Sequence, residues 1–256
     1  KEFFMDKILL FLLFAFEVSA QTSHCIAHRG NGQGHLENSW SALQSSIRSG
    51  AHGVEIDIQH TFDRQPILMH DGSLRRTAKS REGKKCPLSK KIKHIFLKTI
   101  MENCQLKNGE DIPLLEDVLQ EFKYRNLYLF VELKDYPSLK TVNILEKHYK
   151  ENTYFLRIIS FKKSIFKYYK FLKKQKDFWS SVRFLKLSLR KRSSQEGEGV
   201  NIFMPKRGLE KWMKKNKKYE TGVWTVNDRA SIRKAKRYFV KFITTDKPRL
   251  CLDSIL

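Results

Sequence analysis

Along the chain, short runs of apolar and β-branched residues alternate with longer segments whose apolar positions recur every three or four residues. The short runs suit strands and the longer segments suit amphipathic helices. The pattern predicts strands over Cys25–His28, Gly53–Ile58, Pro66–His70, Leu127–Leu133, Phe155–Ser160, Arg183–Leu187, Val200–Met204, Gly222–Val226 and Phe242–Thr245. It predicts helices over Ser39–Ser49, Leu114–Tyr124, Leu139–Tyr149, Lys163–Gln175, Leu209–Asn216 and Ala230–Tyr238. Asn38-Ser39 and Asp228 stand where helix caps are expected. Strands alternating with helices define an α/β fold with a parallel sheet. A (β/α)8 TIM barrel takes about 250 residues, so one such domain would use nearly all 256 residues present.

Two stretches break the alternation. Between the second and third predicted strands the link is too short for a crossover helix. Thr61-Phe62-Asp63-Arg64 is expected to turn a hairpin there, making the barrel irregular and setting Glu55 roughly opposite His70. Residues 72–111 show no clear period and read as a lysine-rich loop insertion beside the strand ends.

The start of the chain has a different character. Met5-Asp6-Lys7 precedes the apolar run Ile8 to Phe16, and Val18-Ser19-Ala20 supplies small residues where a signal peptidase cuts. The run falls short of the roughly 20 apolar residues that span a bilayer. A signal peptide over residues 1–20 is therefore expected, with the barrel domain over 21–256 and export to the periplasm or the medium. Cys25, Cys86, Cys104 and Cys251 could then form disulfides, and a Cys86–Cys104 pair would staple the basic insertion. The pairing stays open, and no cysteine spacing indicates zinc.

A net charge of +23 draws anions. Many of the basic residues fall in Phe161–Lys176, Arg183–Arg192, Lys211–Lys218 and Arg233–Lys241, several of which also have helical apolar spacing. They therefore read as solvated faces of outer helices, with no module for specific nucleic-acid binding. A loose association with an anionic membrane surface is compatible with this charge, and the oligomeric state is not legible.

The chemistry lies in polar residues set inside apolar strands, because a buried charge is costly unless it is paired or binds a cation. Glu55 and Asp57 share one strand face, and Glu132 and Lys134 share another. Three carboxylates converging without cysteine form a hard-oxygen set, suited to one Ca2+ or Mg2+ ion. His28 and His70 end two strands, where one could take a proton while the other gives one. Arg29 offers fixed donors to a phosphate and Lys134 a point charge. Gly30 would let the backbone approach a ligand.

In order and spacing, His28-Arg29-Gly30, Glu37-Asn38, Glu55-x-Asp57, His70-Asp71 and Glu132-Leu133-Lys134 resemble the glycerophosphodiester phosphodiesterase family. The resemblance continues through Ile112-Pro113-Leu114-Leu115, Ser160-Phe161, Trp224-Thr225-Val226-Asn227 and Thr245-Asp246-Lys247-Pro248. It implies a TIM barrel that hydrolyses small anionic glycerophosphodiesters to glycerol 3-phosphate and an alcohol. It makes Glu55, Asp57 and Glu132 the metal ligands, His28 and His70 the acid/base pair, and Arg29 and Lys134 the phosphate-binding catalytic cations. Glu37 and Asn38 would support substrate and ligands, and Trp224 would line the pocket against glycerol or alcohol. The chain departs from the family pattern at Leu36, Gly72, Ser39 and Lys241, where the family has Pro, Pro, Thr and Asp respectively. Two alternatives compete with the hydrolase: a phospholipase D-like or sphingomyelinase D-like enzyme acting on lipid, and an inactive cationic binding protein. The chain keeps every implied ligand and proton carrier, which favours an enzyme.

Overall fold

The computed structural model describes residues 22–30, 34–123, 125–191 and 197–256. The expected leader over 1–20 lies outside the described residues, as does Tyr124 at the predicted end of a helix.

Eleven strands run in chain order: β1 (His24–Ala27), β2 (Gly53–His60), β3 (Pro66–Leu68), β4 (Ala78–Ser80), β5 (Cys104–Leu106), β6 (Tyr128–Leu133), β7 (Leu156–Ser160), β8 (Arg183–Ser188), β9 (Gly199–Phe203), β10 (Glu220–Trp224) and β11 (Phe242–Thr245). The helices are α1 (Trp40–Arg48), α2 (Leu97–Asn103), α3 (Leu115–Phe122), α4 (Leu139–Tyr149), α5 (Lys163–Gln175), α6 (Asp177–Ser181), α7 (Leu209–Asn216), α8 (Arg229–Arg237) and α9 (Pro248–Ile255). Eight strands pair in parallel in the order β1, β2, β6, β7, β8, β9, β10, β11, and β11 pairs back onto β1 to close the ring. This is the expected TIM barrel. Every predicted helix forms to within a residue or two at its ends. Ser39 Oγ accepts from Ala42 N at 3.2 Å, and Asp228 caps α8 through Ser231 N at 2.8 Å.

Alternation along the strands sorts side chains into two layers. Val54, Ile56 and Ile58 on β2 and Leu129, Val131 and Leu133 on β6 join helix residues such as Leu43, Val118 and Leu145 in one buried cluster. The intervening positions face the barrel interior, where Ile26, Tyr128, Phe130, Ile159, Leu185 and Phe242 pack together. Gly53 faces this interior, and a Cβ there would stand 2.4 Å from the Tyr128 carbonyl oxygen, so only glycine lets the aromatic layer close.

At the N-terminal end the interior holds an ion cluster that the hydrophobic pattern does not announce. Arg157, almost fully buried, donates through Nε and Nη2 to Glu220 at 2.6 and 2.9 Å, and Lys241 Nζ donates to the same carboxylate at 2.5 Å. Burial would raise the Glu220 carboxyl, but Arg157 and Lys241 more than offset it and hold Glu220 below the ordinary value. Lys241, the departure from the family pattern near the last strand, thus has a largely buried carboxylate as its partner.

The irregularity between β2 and β3 is a hairpin, as expected, but its register differs by one residue. Ile58 pairs with Leu68, and Met69 N donates to the Asp57 carbonyl at 3.0 Å, so Glu55 is not opposite His70. β3 ends at Leu68 and lies outside the barrel. A second irregularity falls between β8 and β9, where no helix occurs among the described residues.

The insertion is a folded element, which corrects the expectation of a loop. β4 and β5 form a two-stranded antiparallel sheet, α2 leads directly into β5, and Cys86 is bonded to Cys104. Leu74, Ile92, Ile95, Ile100, Leu106 and Ile112 are buried around that disulfide. They belong to several short elements rather than one helix face, which is why no period shows in the sequence. Cys25 and Cys251 form the other disulfide, joining β1 to α9. Among the described residues no helix is long and apolar enough to cross a membrane.

Candidate active site

Parallel pairing of β2 with β6 sets Asp57 beside Glu132 in register, and the two-residue strand repeat puts Glu55 on the same inward face. Oxygens of Glu55, Asp57 and Glu132 lie within 4.8 Å of one another, and all three residues are buried. Burial, then repulsion from Asp57, pushes the Glu55 carboxyl up to about 8. The same two causes raise Glu132. Burial would also raise Asp57, but Lys134 and Arg29 outweigh it and hold that carboxyl below its ordinary value. Asp57 Oδ1 is buried without a hydrogen bond and lies 3.2 Å from the Lys134 ammonium.

Two cations bracket the acids. Lys134 Nζ donates to Glu132 at 2.7 Å. The Arg29 backbone N–H donates to Glu55 at 2.7 Å, and its guanidinium lies 3.2 Å from Glu37 and 3.4 Å from Asp57. Arg29 adopts a left-handed backbone (φ 54°), a strained choice for a non-glycine residue that aims its N–H and its side chain at different carboxylates. Gly30 is also left-handed, but its close approach is to α1. A Cβ there would stand 2.8 Å from the Leu43 side chain, so helix packing rather than a ligand requires the glycine.

Each histidine is oriented by a carboxylate. His28 Nδ1 lies 2.7 Å from Asp246, whose other oxygen accepts from Asn227 Nδ2 at 2.7 Å. His70 Nδ1 lies 2.7 Å from Asp71. Burial would lower His28, but the hydrogen bond to Asp246 and the nearby Glu55 charge raise it above the usual histidine value. Burial wins at His70, which is lowered despite Asp57 and Asp71. The two rings are therefore biased toward opposite protonation states.

His28, Arg29, Glu55, His70, Glu132, Lys134 and Trp224 line a single cavity of about 130 Å³, together with Ile159, Phe161, Leu187, Asn201 and Thr244. Its mouth is at the C-terminal ends of the strands, the usual place for TIM-barrel chemistry. Asp57 lies beneath it, fully buried. Glu37 and Asn38 are drawn into the same network without lining the cavity, because their polar atoms are committed elsewhere. Asn38 donates to Asp57 Oδ2 at 2.8 Å and accepts from Asp57 N at 3.1 Å, while Glu37 faces two arginines. Trp224 packs edge-on against Phe161 and Phe203 and donates from Nε1 to the Asn201 carbonyl at 3.2 Å.

Three positioning groups were not singled out from the sequence. Asp71 and Asp246 stand in the matched motifs but had no role attached, and an acid following a strand-end histidine is the signal that could have found the first. Arg76 gave no signal, being one arginine in a basic run. Its guanidinium donates to Asp71 at 2.6 and 3.1 Å and to Glu37 at 2.8 and 2.6 Å. This contact holds Asp71 down to about 2.

A closed parallel barrel with buried carboxylates, paired cations and carboxylate-held histidines at its strand ends defines a TIM-barrel protein with a charged site at the usual end of the barrel. Many families share the barrel, so the strand-end residues must decide between them. Residues 28–250 match the Glycerophosphoryl diester phosphodiesterase family, and the chain belongs to it. Over 129 residues it is 35% identical to glycerophosphodiester phosphodiesterase 1 of Homo sapiens, a match covering 49% of this chain and 38% of that protein. The chain thus spans well under half the length of the curated relatives it matches first. Among solved structures it resembles a phosphodiesterase from Oleispira antarctica, solved with the product sn-glycerol-3-phosphate (TM-score 0.75, 22% identity, 91% of this chain and 97% of that one). It also resembles a glycerophosphodiester phosphodiesterase from Parabacteroides distasonis (TM-score 0.72, 24% identity, 91% and 97%). At these identities the structural likeness establishes the fold.

Proposed function

We propose that this chain hydrolyses glycerophosphodiesters to glycerol 3-phosphate and an alcohol. The observation that carries this is one cavity lined by two oppositely biased histidines above three mutually repelling carboxylates. A cationic binding protein has no use for that bias, and no proton carrier or acid implied by the family resemblance is missing.

The acids fit a hard divalent cation. Their oxygens converge, burial and repulsion raise two of them, and Asp57 Oδ1 is buried without a hydrogen bond. Glu55, Asp57 and Glu132 would hold Ca2+ or Mg2+, which would supply charge neutralisation at the phosphate. Glu132→Gln keeps the volume and removes one charge. Calorimetry should show cation affinity lowered about 10-fold or more; unchanged affinity would assign the third ligand elsewhere.

The chain's own residues account for the rest. Arg29 and Lys134 line the cavity and would bind the phosphate oxygens, stabilising charge as it builds up. His70, biased neutral, takes the proton of the substrate's glycerol 2-hydroxyl as that oxygen bonds to phosphorus. The bond from phosphorus to the alcohol oxygen breaks, and His28, biased protonated, gives that oxygen its proton. Water then opens the cyclic glycerol phosphate with the two roles reversed, and both histidines return to their starting states. Asp71 and Asp246 hold the rings so that the second nitrogen of each is free to exchange protons. Trp224 and Phe161 would pack against the glycerol or the alcohol.

The test uses cation-loaded protein on glycerophosphocholine and on its 2-deoxy analogue. His28→Ala and His70→Ala should each cost about 10²–10⁴ in kcat, and the deoxy analogue should react very poorly. A normal rate on that analogue means that water attacks directly, and full activity in either variant removes the acid/base assignment. Lysophosphatidylcholine and sphingomyelin as further substrates separate the lipid-directed alternative, because a human relative named lysophospholipase D is 27% identical over 129 residues.

We further propose that the protein is exported after removal of residues 1–20. Two disulfides support an oxidising compartment. N-terminal sequencing of the exported form should begin near residue 21; finding Met5 there would overturn this.

A further inference from the structure

Among the described residues, most of the large exposed apolar side chains lie toward one end of the barrel, while Tyr154, Phe171, Phe239 and Leu256 lie elsewhere. Phe62 and Phe96, each more than half exposed, pack edge-to-face at 4.7 Å between the β2–β3 hairpin tip and the insertion. Phe161, Leu189 and Phe203 are exposed as well, each at or just past the C-terminal end of a barrel strand, and exposed Leu139 opens α4, the helix that follows β6. All six therefore share the end of the barrel on which the cavity opens. An apolar set gathered at one end of a water-exposed domain marks a contact surface.

The charge around it is of one sign. From Lys84 to Lys98 the chain carries six lysines and no carboxylate. Lys84, Lys85, Lys90, Lys91 and Lys93 are exposed, and among the described residues none of them has a carboxylate partner. A groove of about 340 Å³ runs between them, lined by Lys85, Pro87, Lys90, His94, Phe96 and Thr99. The patch adjoins the site. Lys91 bridges to Ser73, and Ile92 N donates to the Gly72 carbonyl at 2.9 Å, next to Asp71. The disulfide and the buried isoleucines beneath hold the lysines on a fixed base.

We propose that the C-terminal end of the barrel docks on an anionic phospholipid bilayer, with Phe62 and Phe96 entering the headgroup layer and the insertion lysines binding lipid phosphates. Unpaired lysines around exposed aromatic rings match the negative potential and the apolar depth of such a surface, each basic residue near it adding attraction. A soluble polyanion would engage the lysines but offers the phenylalanines nothing. Docking in this way turns the cavity mouth toward the layer from which glycerophosphodiesters and their lipid precursors come. The docking surface does not depend on the catalytic reading, and its test does not measure catalysis.

The experiment is flotation of residues 21–256, the form proposed to be exported, with vesicles of phosphatidylcholine, alone or mixed with phosphatidylserine. Binding is expected to the mixed vesicles only, and to fall with added salt. Replacing Lys84, Lys85, Lys90, Lys91 and Lys93 together by Gln should weaken it about 10- to 100-fold. Phe62→Ser with Phe96→Ser should weaken it with the thermal midpoint nearly unchanged, since both rings are already exposed. Equal binding to both vesicle types, or undiminished binding by either variant, overturns the proposal. So does absence of vesicle binding combined with self-association that the phenylalanine variant abolishes, which would make a second copy the occupant.

Discussion

Asp71 and Glu37, the carboxylates that serve His70 and Arg29, share a single guanidinium. Arg76 spans them with four hydrogen bonds, so one side chain from the insertion fixes the partners of both His70, the proposed proton carrier, and Arg29, the proposed phosphate ligand. Its own side chain is about half exposed, so its removal should cost little stability. Arg76→Ala is expected to lower kcat about 10–100-fold with the melting midpoint nearly unchanged. Arg76→Lys should recover only part, because an ammonium cannot bridge two carboxylates as a planar fork does. Full recovery by Lys would reduce Arg76 to a point charge. The histidines give a second prediction at this scale. A base must be neutral, so activity is lost as pH falls through the His70 value, which lies below the ordinary 6.5. An acid must be protonated, so activity is lost as pH rises through the His28 value, which lies above 6.5. The profile of kcat/KM should be a bell whose plateau straddles 6.5, and removing Asp246 by Asn should draw in the alkaline limb. An alkaline limb that stays put in Asp246→Asn would detach it from His28.

At the scale of elements, the disulfide-bonded insertion is where a stability experiment is most informative. Cys86 and Cys104 are 18 residues apart, and closing a loop of that size stabilises by about 3 kcal/mol in the chain-entropy model. Replacing both by Ala should loosen the insertion first. Limited proteolysis should then cut within Lys84–Lys98, and activity should fall in step with the loss of Arg76's anchorage. Protease resistance equal to that of the parent would show that the buried isoleucines suffice without the bond. This element is also where reading the sequence stopped short. Barrel strands such as Gly53–His60 and Tyr128–Leu133 were legible because an apolar outer face alternates with an informative inner face. The acids and histidines were legible because they interrupt that alternation. The insertion packs around a disulfide, so its core has no period to detect. Arg157 lies on a strand like any other, and its partner Glu220, shared with Lys241, arrives from a position far along the chain. Arg76 is hidden for a similar reason, since only the fold brings Glu37 within reach.

For the molecule as a whole, the charge of +23 acts at a distance. Its effect belongs to encounter rather than to chemistry, so kcat/KM on a soluble anionic substrate should fall as ionic strength rises while kcat changes little. A parallel fall in both would place the salt effect inside the site. The bond between Cys25 and Cys251 also acts on the whole. It joins the first barrel strand to the last helix across 226 residues of sequence, turning nearly the entire domain into a covalent ring. Tension applied to the chain on either side of the pair would pass through that bond and leave residues 26–250 unstretched. A barrel held in this way is not drawn out to its full length by force applied outside the pair until the sulfur bridge has been reduced.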